Sequence, residues 1–257
     1  MLPGLEAAAE PLSGEVIIVN FGGDPERLKY QLAHVGLSTR VVEVSGQQWF
    51  HKARAQNAGA NFARHDLMFF CDCDILLDAP TVGTLARKVI TNPGIFATLA
   101  GVSESRRNAR QARHVVRFGY ELSIKTADGR ELHILDSEED AADGTRQAPG
   151  LLLVRRDDFT RIDGYNGKLH GWGWEDQDMI ARLTLGAGLR RISEGHAVHL
   201  SHDDATRTAR YPLCKDRWES RDRMFRQALD AYDRNDFAGT FSRDRSELSC
   251  RLINVGF

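Results

Sequence analysis

The sequence has no apolar run approaching the roughly 20 residues needed to cross a bilayer, which argues against a spanning helix and stable membrane insertion. Cysteine is scarce, with four in 257 residues. That is too few for a disulfide scaffold, and Cys71 and Cys73 sit in an apolar, strand-like run where small buried thiols fill space. Net charge is also small, −2 at pH 7, so bulk charge points to no nucleic-acid or anionic-membrane partner. Residues Met1 to Leu12 have neither a basic region nor an apolar core and do not read as a secretory signal, so a cytoplasmic protein is the expectation. Internal repeats and low-complexity linkers are missing. A chain of this length with 42% hydrophobic residues is expected to form one compact, enzyme-sized domain.

What is present is an alternation of strand-like and helix-like segments. Residues 15–21 read as a buried strand ending in the Gly22-Gly23 turn, and Pro25 to Val35 as a helix with Leu28 and Leu32 on one face. Strand, helix and strand follow at Val41 to Val44, Phe50 to Arg64 and Asp66 to Cys71. A helix from Pro80 to Ile90 and a strand from Gly94 to Ala100 complete the first half. Beyond it, Phe118 to Leu135 alternates about an Asp128-Gly129 turn as a β-hairpin should, and Ser137 to Gln147 reads as an exposed loop. A strand at Gly150 to Val154 and helices at Asp176 to Leu185 and Asp216 to Tyr232 follow. The order predicts an α/β fold with a mostly parallel central sheet flanked by helices, whose ligands gather at the carboxyl ends of the strands.

Two acidic signatures fall at such ends. Asp72-Cys73-Asp74 follows the apolar Phe69-Phe70-Cys71, and two carboxylates there are costly to bury without a counter-charge. A divalent cation that also neutralises a diphosphate removes that cost, although a D-x-D pattern alone can equally be one helix cap and one solvated group. The second signature is Gly171-Trp172-Gly173-Trp174-Glu175-Asp176. Its glycines allow close backbone approach, and Trp172 offers a flat surface suited to a pyranose face. Glu175, Asp176 and Asp178 then open a helix, where acidic residues are also favoured by the macrodipole alone. Asp176 is the candidate base for an attacking hydroxyl.

Downstream, His196, His199 and His202 fall within seven residues. The spacing of His199 and His202 lets both converge on one ion, whereas His196 reads as structural. Histidine added to carboxylates favours manganese, with magnesium as the alternative, over calcium. At the first strand, Asn20, Phe21 and Gly22 are candidates to line a nucleotide, and Glu43 could accept from a base ring N–H. A basic segment with Arg106, Arg107, Arg110, Arg113 and Arg117 would suit an anionic acceptor or form a solvated helix face.

The stretch from Phe50 through Lys52, Asn57 and Gly59 to Asp72-Cys73-Asp74 resembles the sugar-nucleotide half of GT-A glycosyltransferases. The second signature, with its approach through Pro149-Gly150 and Asp163-Gly164-Tyr165, closely resembles the Gly-Trp-Gly-Gly-Glu-Asp motif of the beta-1,4-galactosyltransferase family. Here Trp174 replaces the fourth small residue. The likeness spans roughly residues 14 to 204, with 102 to 147 unmatched. It implies a GT-A (Rossmann-like) fold with a smaller acceptor-side subdomain, residues 14–100 binding the nucleotide sugar and 101–257 forming the acceptor-binding and catalytic half. It further implies a metal-dependent hexosyl transfer, with inversion, from a nucleoside diphosphate sugar of the UDP class onto a hydroxyl.

By that resemblance Lys52 reaches donor phosphate, and Asn57 and Gly59 pack the helix under the strand that carries the donor and metal residues Asp72, Cys73 and Asp74. The segment Trp172, Gly173, Trp174 and Glu175 holds sugars, Asp176 is the base, and a further metal ligand falls on His202 or, ranked after it, His199. Two other classes use some of the same residues. A sugar-nucleotide nucleotidyltransferase should carry a basic phosphate loop, which Gly22-Gly23-Asp24-Pro25 lacks, and a non-catalytic sugar-binding protein would bind without cleaving a donor.

Overall fold

The computed structural model describes residues 2–32, 39–106 and 114–255. A short helix α1 (Leu2–Ala9) and a 3-10 turn lead into β1 (Val16–Phe21), α2 (Pro25–Leu32), β2 (Thr39–Val44), α3 (Lys52–Phe62) and β3 (Leu67–Phe70). Then come β4 (Ile75–Leu76), α4 (Ala79–Thr91), β5 (Ile95–Thr98), β6 (Gly101–Glu104), the hairpin β7 (Gly119–Lys125) and β8 (Glu131–Ser137), and β9 (Thr145–Arg146). The last part runs β10 (Leu152–Arg155), α5 (Arg156–Arg161), α6 (Glu175–Ala181), β11 (Arg190–Ser193) and β12 (His196–His199). It closes with α7 (Asp204–Thr208), α8 (Arg217–Asp233), α9 (Phe241–Glu247) and β13 (Cys250–Val255).

The α/β expectation holds, but the pairing is mixed rather than mostly parallel. The described strands form ladders in the orders β1-β2-β13, β11-β5-β10-β3 and β4-β12-β6-β9, plus the β7-β8 hairpin. Only β1–β2, β5–β11 and β6–β12 are parallel. The reason is insertion from the second half of the chain. β10 enters between β3 and β5, antiparallel to both, where a simple β3-α4-β5 crossover would have paired them. β13, for which the sequence offered no signal, caps β2 antiparallel through six residue pairs.

Local sequence accounts for the helices that frame the site. Asp78 caps α4 by accepting from Thr81 N, and Val82, Leu85, Ala86 and Val89 recur at helical spacing on its buried face. Asp216 caps α8 by accepting from Trp218 N and Glu219 N, each at 2.9 Å. The largest apolar cluster joins Phe96, Leu152 and Val154 of the sheet to Phe159, Tyr165, Trp174, Met179 and Met224. The residues around the second signature are therefore anchored in the core on one side while facing a cavity on the other. The expected loop 137–147 is not simply exposed. Glu139 is buried, Glu138 pairs with Arg217 at 2.7 Å, and β9 joins β6.

Candidate metal centre and active site

The chain turns at residues 73–74, two residues beyond β3, and β4 then pairs antiparallel with β12, Ile75 opposite His199 and Leu76 opposite Val198. Leu200 N donates to Asp74 O at 2.8 Å, which fixes the turn against the end of β12. This register brings His199 Nε2 to 3.2 Å and His202 Nε2 to 3.1 Å from Asp74 Oδ2. One ligand atom from each of the three residues lies within 4.8 Å of the others.

The donor set fits a divalent cation on two grounds. Asp74 Oδ1 is buried with no hydrogen-bond partner among the described residues, a state that is costly unless something positive approaches it. One carboxylate and two imidazoles also suit manganese better than calcium, which prefers an all-oxygen shell. Burial opposes ionisation of Asp74, but hydrogen bonds and charge from His199 and His202 outweigh it and hold the carboxyl down at about 2. Burial likewise pulls His199 down, yet its bonds to Asp74 and Glu104 prevail and its pKa is raised.

A second charged group lies in the same cavity. Lys52, the first residue of α3, places Nζ 2.8 Å from Asp176 Oδ2 and 2.9 Å from Asp72 Oδ1, with only 13% of its side chain exposed. Burial alone would lower this ammonium, but the charges of Asp176 and Asp72 raise it well above the usual lysine value. For Asp176, burial is the largest influence and leaves its pKa raised even though Lys52 works against it. Burial and then the Asp176 charge push Glu175 up as well, while its Oε2 accepts from Gly173 N at 3.0 Å. Asp176 Oδ1 is buried and has no partner among the described residues, so one lone-pair direction of the candidate base is uncommitted. Gly150 explains how the turn before β10 passes this pair: a Cβ there would lie 2.6 Å from Asp176 Oδ2 and 3.1 Å from Lys52 Nζ.

Both groups line one cavity of ≈ 2020 Å³, bounded by residues from α1 to α8. At one end Phe21, Phe50 and Tyr211 form a row of edge-to-face rings at 6.0 and 5.4 Å. Elsewhere along the wall Trp172 faces in, with the guanidinium groups of Arg207 and Arg217 over its ring at 5.6 and 5.5 Å.

Several expected site residues lie elsewhere. Trp174 is not a sugar surface: it is 2% exposed and packs edge-on against Phe225, because the bend through Gly173, with φ of +125°, turns it away from Trp172 into the core. Asn57 is buried and bonds Tyr165 N and O and Asp244, so it holds the loop before the second signature rather than a donor. Asn20 closes its own turn through both Gly23 N and Gly23 O, and Glu43 lies mid-strand between Asn20 and Arg251; neither lines the cavity. The turn at 73–74 separates the two acidic side chains, so Asp72 meets Lys52 and stays outside the Asp74 cluster. Gly22, Gly173, Cys73, Trp172 and Glu175 do line the cavity.

The close approach at Gly171 is to α8, where a Cβ would lie 2.5 Å from Ser220 Oγ, and not to open space. Asp178 is structural, bonded to Arg182 at 2.8 Å and to the Tyr232 hydroxyl at 2.7 Å. Of the basic segment, Arg107, Arg110 and Arg113 lie outside the described residues, and Arg117 pairs with Asp140 at 3.8 Å.

Sequence reasoning missed Glu104, Arg146 and Tyr211, all of which line the cavity, and took Gly150 only as part of the approach to the second signature. A carboxylate at the end of a strand after the buried Val102 was the available signal for Glu104.

Residues 138–203 match the family model described as the N-terminal domain of galactosyltransferase. The chain thus resembles galactosyltransferases over the stretch that carries the second signature and all three histidines, while Lys52, Asp72, Asp74 and Glu104 fall before it. Among solved structures, the chain is similar to the catalytic domain of Drosophila beta1,4-galactosyltransferase 7 in complex with xylobiose. Identity there is 17% and the TM-score 0.38, over 80% of this chain and 78% of that one. A mutant of the Drosophila enzyme, in complex with manganese, UDP-Gal and xylobiose, aligns at 15% identity and a TM-score of 0.39, over 81% and 79% of the two chains.

Proposed function

We propose that this protein is a GT-A-type, metal-dependent glycosyltransferase that moves a hexose from a UDP-sugar onto a hydroxyl-bearing acceptor with inversion. Residues 14–100 serve the donor, and the acceptor is handled mainly by 101–257. The observation that carries the reading is the shared cavity, in which the Asp74–His199–His202 cluster and the Lys52–Asp176 pair meet through the two ends of one Asp72-Cys73-Asp74 turn. The galactosyltransferase match over 138–203 supports sugar transfer as the chemistry performed there.

A divalent cation held by Asp74, His199 and His202 would supply positive charge against a departing diphosphate. The acceptor hydroxyl oxygen attacks the anomeric carbon on the face opposite the leaving group, and the bond to the diphosphate breaks with its electron pair. As the new bond forms the hydroxyl becomes acidic, and its proton passes to Asp176 Oδ1, the uncommitted oxygen. Lys52 keeps Asp176 ionised and fixes its orientation by holding Oδ2. The raised pKa that burial gives Asp176 makes it a stronger base than a surface aspartate. Trp172 offers the acceptor a ring face.

Release of UDP from a panel of UDP-sugars with manganese and candidate saccharide acceptors tests the reading, with Asp74→Ala and Asp176→Asn as variants. Metal-dependent release that is abolished in the first variant and reduced roughly 10²- to 10⁴-fold in the second is expected. Sugar binding without UDP release from any donor would instead identify a binding protein.

A further inference from the structure

Glu104 plays no part in the mechanism above, yet it is among the most thoroughly engaged carboxylates in the cavity wall. It is the last residue of β6, and β6 runs parallel to β12 in a register that pairs Glu104 with His199. Its Oε2 accepts from His199 Nδ1 at 2.7 Å and from Ser201 Oγ at 2.8 Å, and its Oε1 accepts from Arg146 Nε at 2.9 Å. The Glu104 side chain is 5% exposed and that of His199 6%. A carboxylate so enclosed and held by three donors has one arrangement available to it.

We infer that Glu104 is the positioning residue for His199: it fixes the imidazole with Nδ1 as donor and Nε2 directed at Asp74. The imidazole has two nitrogens and a free ring could present either. With Nδ1 committed to Glu104, the atom left for a cation is Nε2, which already lies 3.2 Å from Asp74 Oδ2. Among the described residues His202 has no such support. Its Nδ1 reaches only the neighbouring Asp203 O at 3.3 Å, and its side chain is 26% exposed. The two histidines therefore divide the work. His199 is a rigid ligand set by β-sheet register, whereas His202 is an adjustable one on the strand's exit. Glu104 also lies before the 138–203 segment that matches the galactosyltransferase family model, so the strand that orients His199 comes from a part of the chain outside that match.

This inference rests on the reading of Asp74, His199 and His202 as a metal site. The measurement is Mn2+ affinity of the full chain, by the electron paramagnetic resonance signal of free Mn2+, for the native protein and for Glu104→Ala, Glu104→Gln and His202→Ala. Removing an outer-shell carboxylate from a metal-bound histidine costs on the order of 10- to 100-fold in affinity. Glu104→Ala is expected to weaken Mn2+ by that factor, and Glu104→Gln, which keeps an acceptor for Nδ1, by less. At saturating Mn2+ the kcat of Glu104→Gln should return to within about threefold of native, because the residue acts through His199 and touches no substrate.

Far-ultraviolet circular dichroism establishes that each variant is folded; should Glu104→Ala unfold, Glu104→Gln and Ser201→Ala carry the test. Native Mn2+ affinity in both variants of Glu104, or in the two fallback variants, would overturn the inference while leaving the metal site intact. A native chain that binds no Mn2+, or one whose binding survives His202→Ala unchanged, would instead overturn the metal reading and the inference together.

Discussion

Lys52→Met is the substitution that most directly tests how the acidic group works. Methionine keeps the volume of the stem but removes the cation bonded to Asp176, leaving a carboxylate that is 14% exposed beside the buried Glu175. At an effective dielectric near 20, unit charges about 4 Å apart attract by roughly 4 kcal/mol, so losing Lys52 should raise the Asp176 pKa further, in the direction burial already takes it. Asp72 is 41% exposed, and solvent replaces most of what it loses. Since the base must be ionised, the acid limb of kcat/KM should move to higher pH by at least about one unit, with activity partly recovered near pH 9. Stability should follow the opposite course. A carboxyl whose folded pKa lies above its unfolded value stabilises the fold at low pH and loses that contribution as pH rises through the folded pKa. The cost of Lys52→Met, on the order of 3 to 5 kcal/mol when the carboxylates are charged, should therefore shrink at pH 5 relative to pH 8. The assays are a pH profile of UDP release and melting curves at the two pH values. If activity falls with no movement of the acid limb while donor KM rises, Lys52 acts on donor phosphate alone and the tuning argument is refuted.

Three further outcomes are expected. His51 stacks on His170 at 4.3 Å and donates to Gly167 O, and burial, then the His170 charge, depress it to about 3. Its neutral form therefore stabilises the fold fully above pH 6.5, and that contribution is lost between 6.5 and about 3; the cost of His51→Phe, measured by urea titration, should diminish as pH falls across this window, and a constant cost would contradict the assignment. Trp174→Phe should lower stability by about 1 to 3 kcal/mol with acceptor KM nearly unchanged, whereas Trp172→Ala should raise acceptor KM about tenfold with little effect on melting; the reverse pattern would show that the two rings have exchanged roles. Gly150→Ala should depress kcat by more than tenfold while the protein stays folded, because the added methyl meets Asp176 and Lys52, and native kcat would mean that the pair yields freely.

How much of this was legible depended on the sequence distance over which each contact is decided. The β7-β8 hairpin follows from alternation and a Gly129 with φ of +86°, and α4 and α8 from an aspartate cap followed by apolar residues at helical spacing. Each of those signals is local, contained in one hairpin or one helix. The two acidic signatures and the histidines were likewise readable as chemistry, since buried carboxylates next to histidines need a counter-charge.

What could not be read was which of those groups face one another. Lys52 meets Asp176 across 124 positions, Glu104 meets His199 across 95, and Asp74 meets His202 across 128. Trp172 and Trp174 illustrate the point at close range. They have the same chemistry two residues apart, yet the bend through Gly173, with φ of +125°, sends one to the cavity and the other to the core. Asp72 and Asp74 are separated in the same way by the turn between β3 and β4. Spacing in sequence thus identified the groups able to do the chemistry. The insertion of β10 between β3 and β5 and the pairing of β12 with both β4 and β6 decided which of them share a site. A ladder slipped by one residue would turn His199 to the opposite face of β12 and replace it with the exposed Val198 or Leu200, so the metal centre depends on strand register as directly as on its ligands.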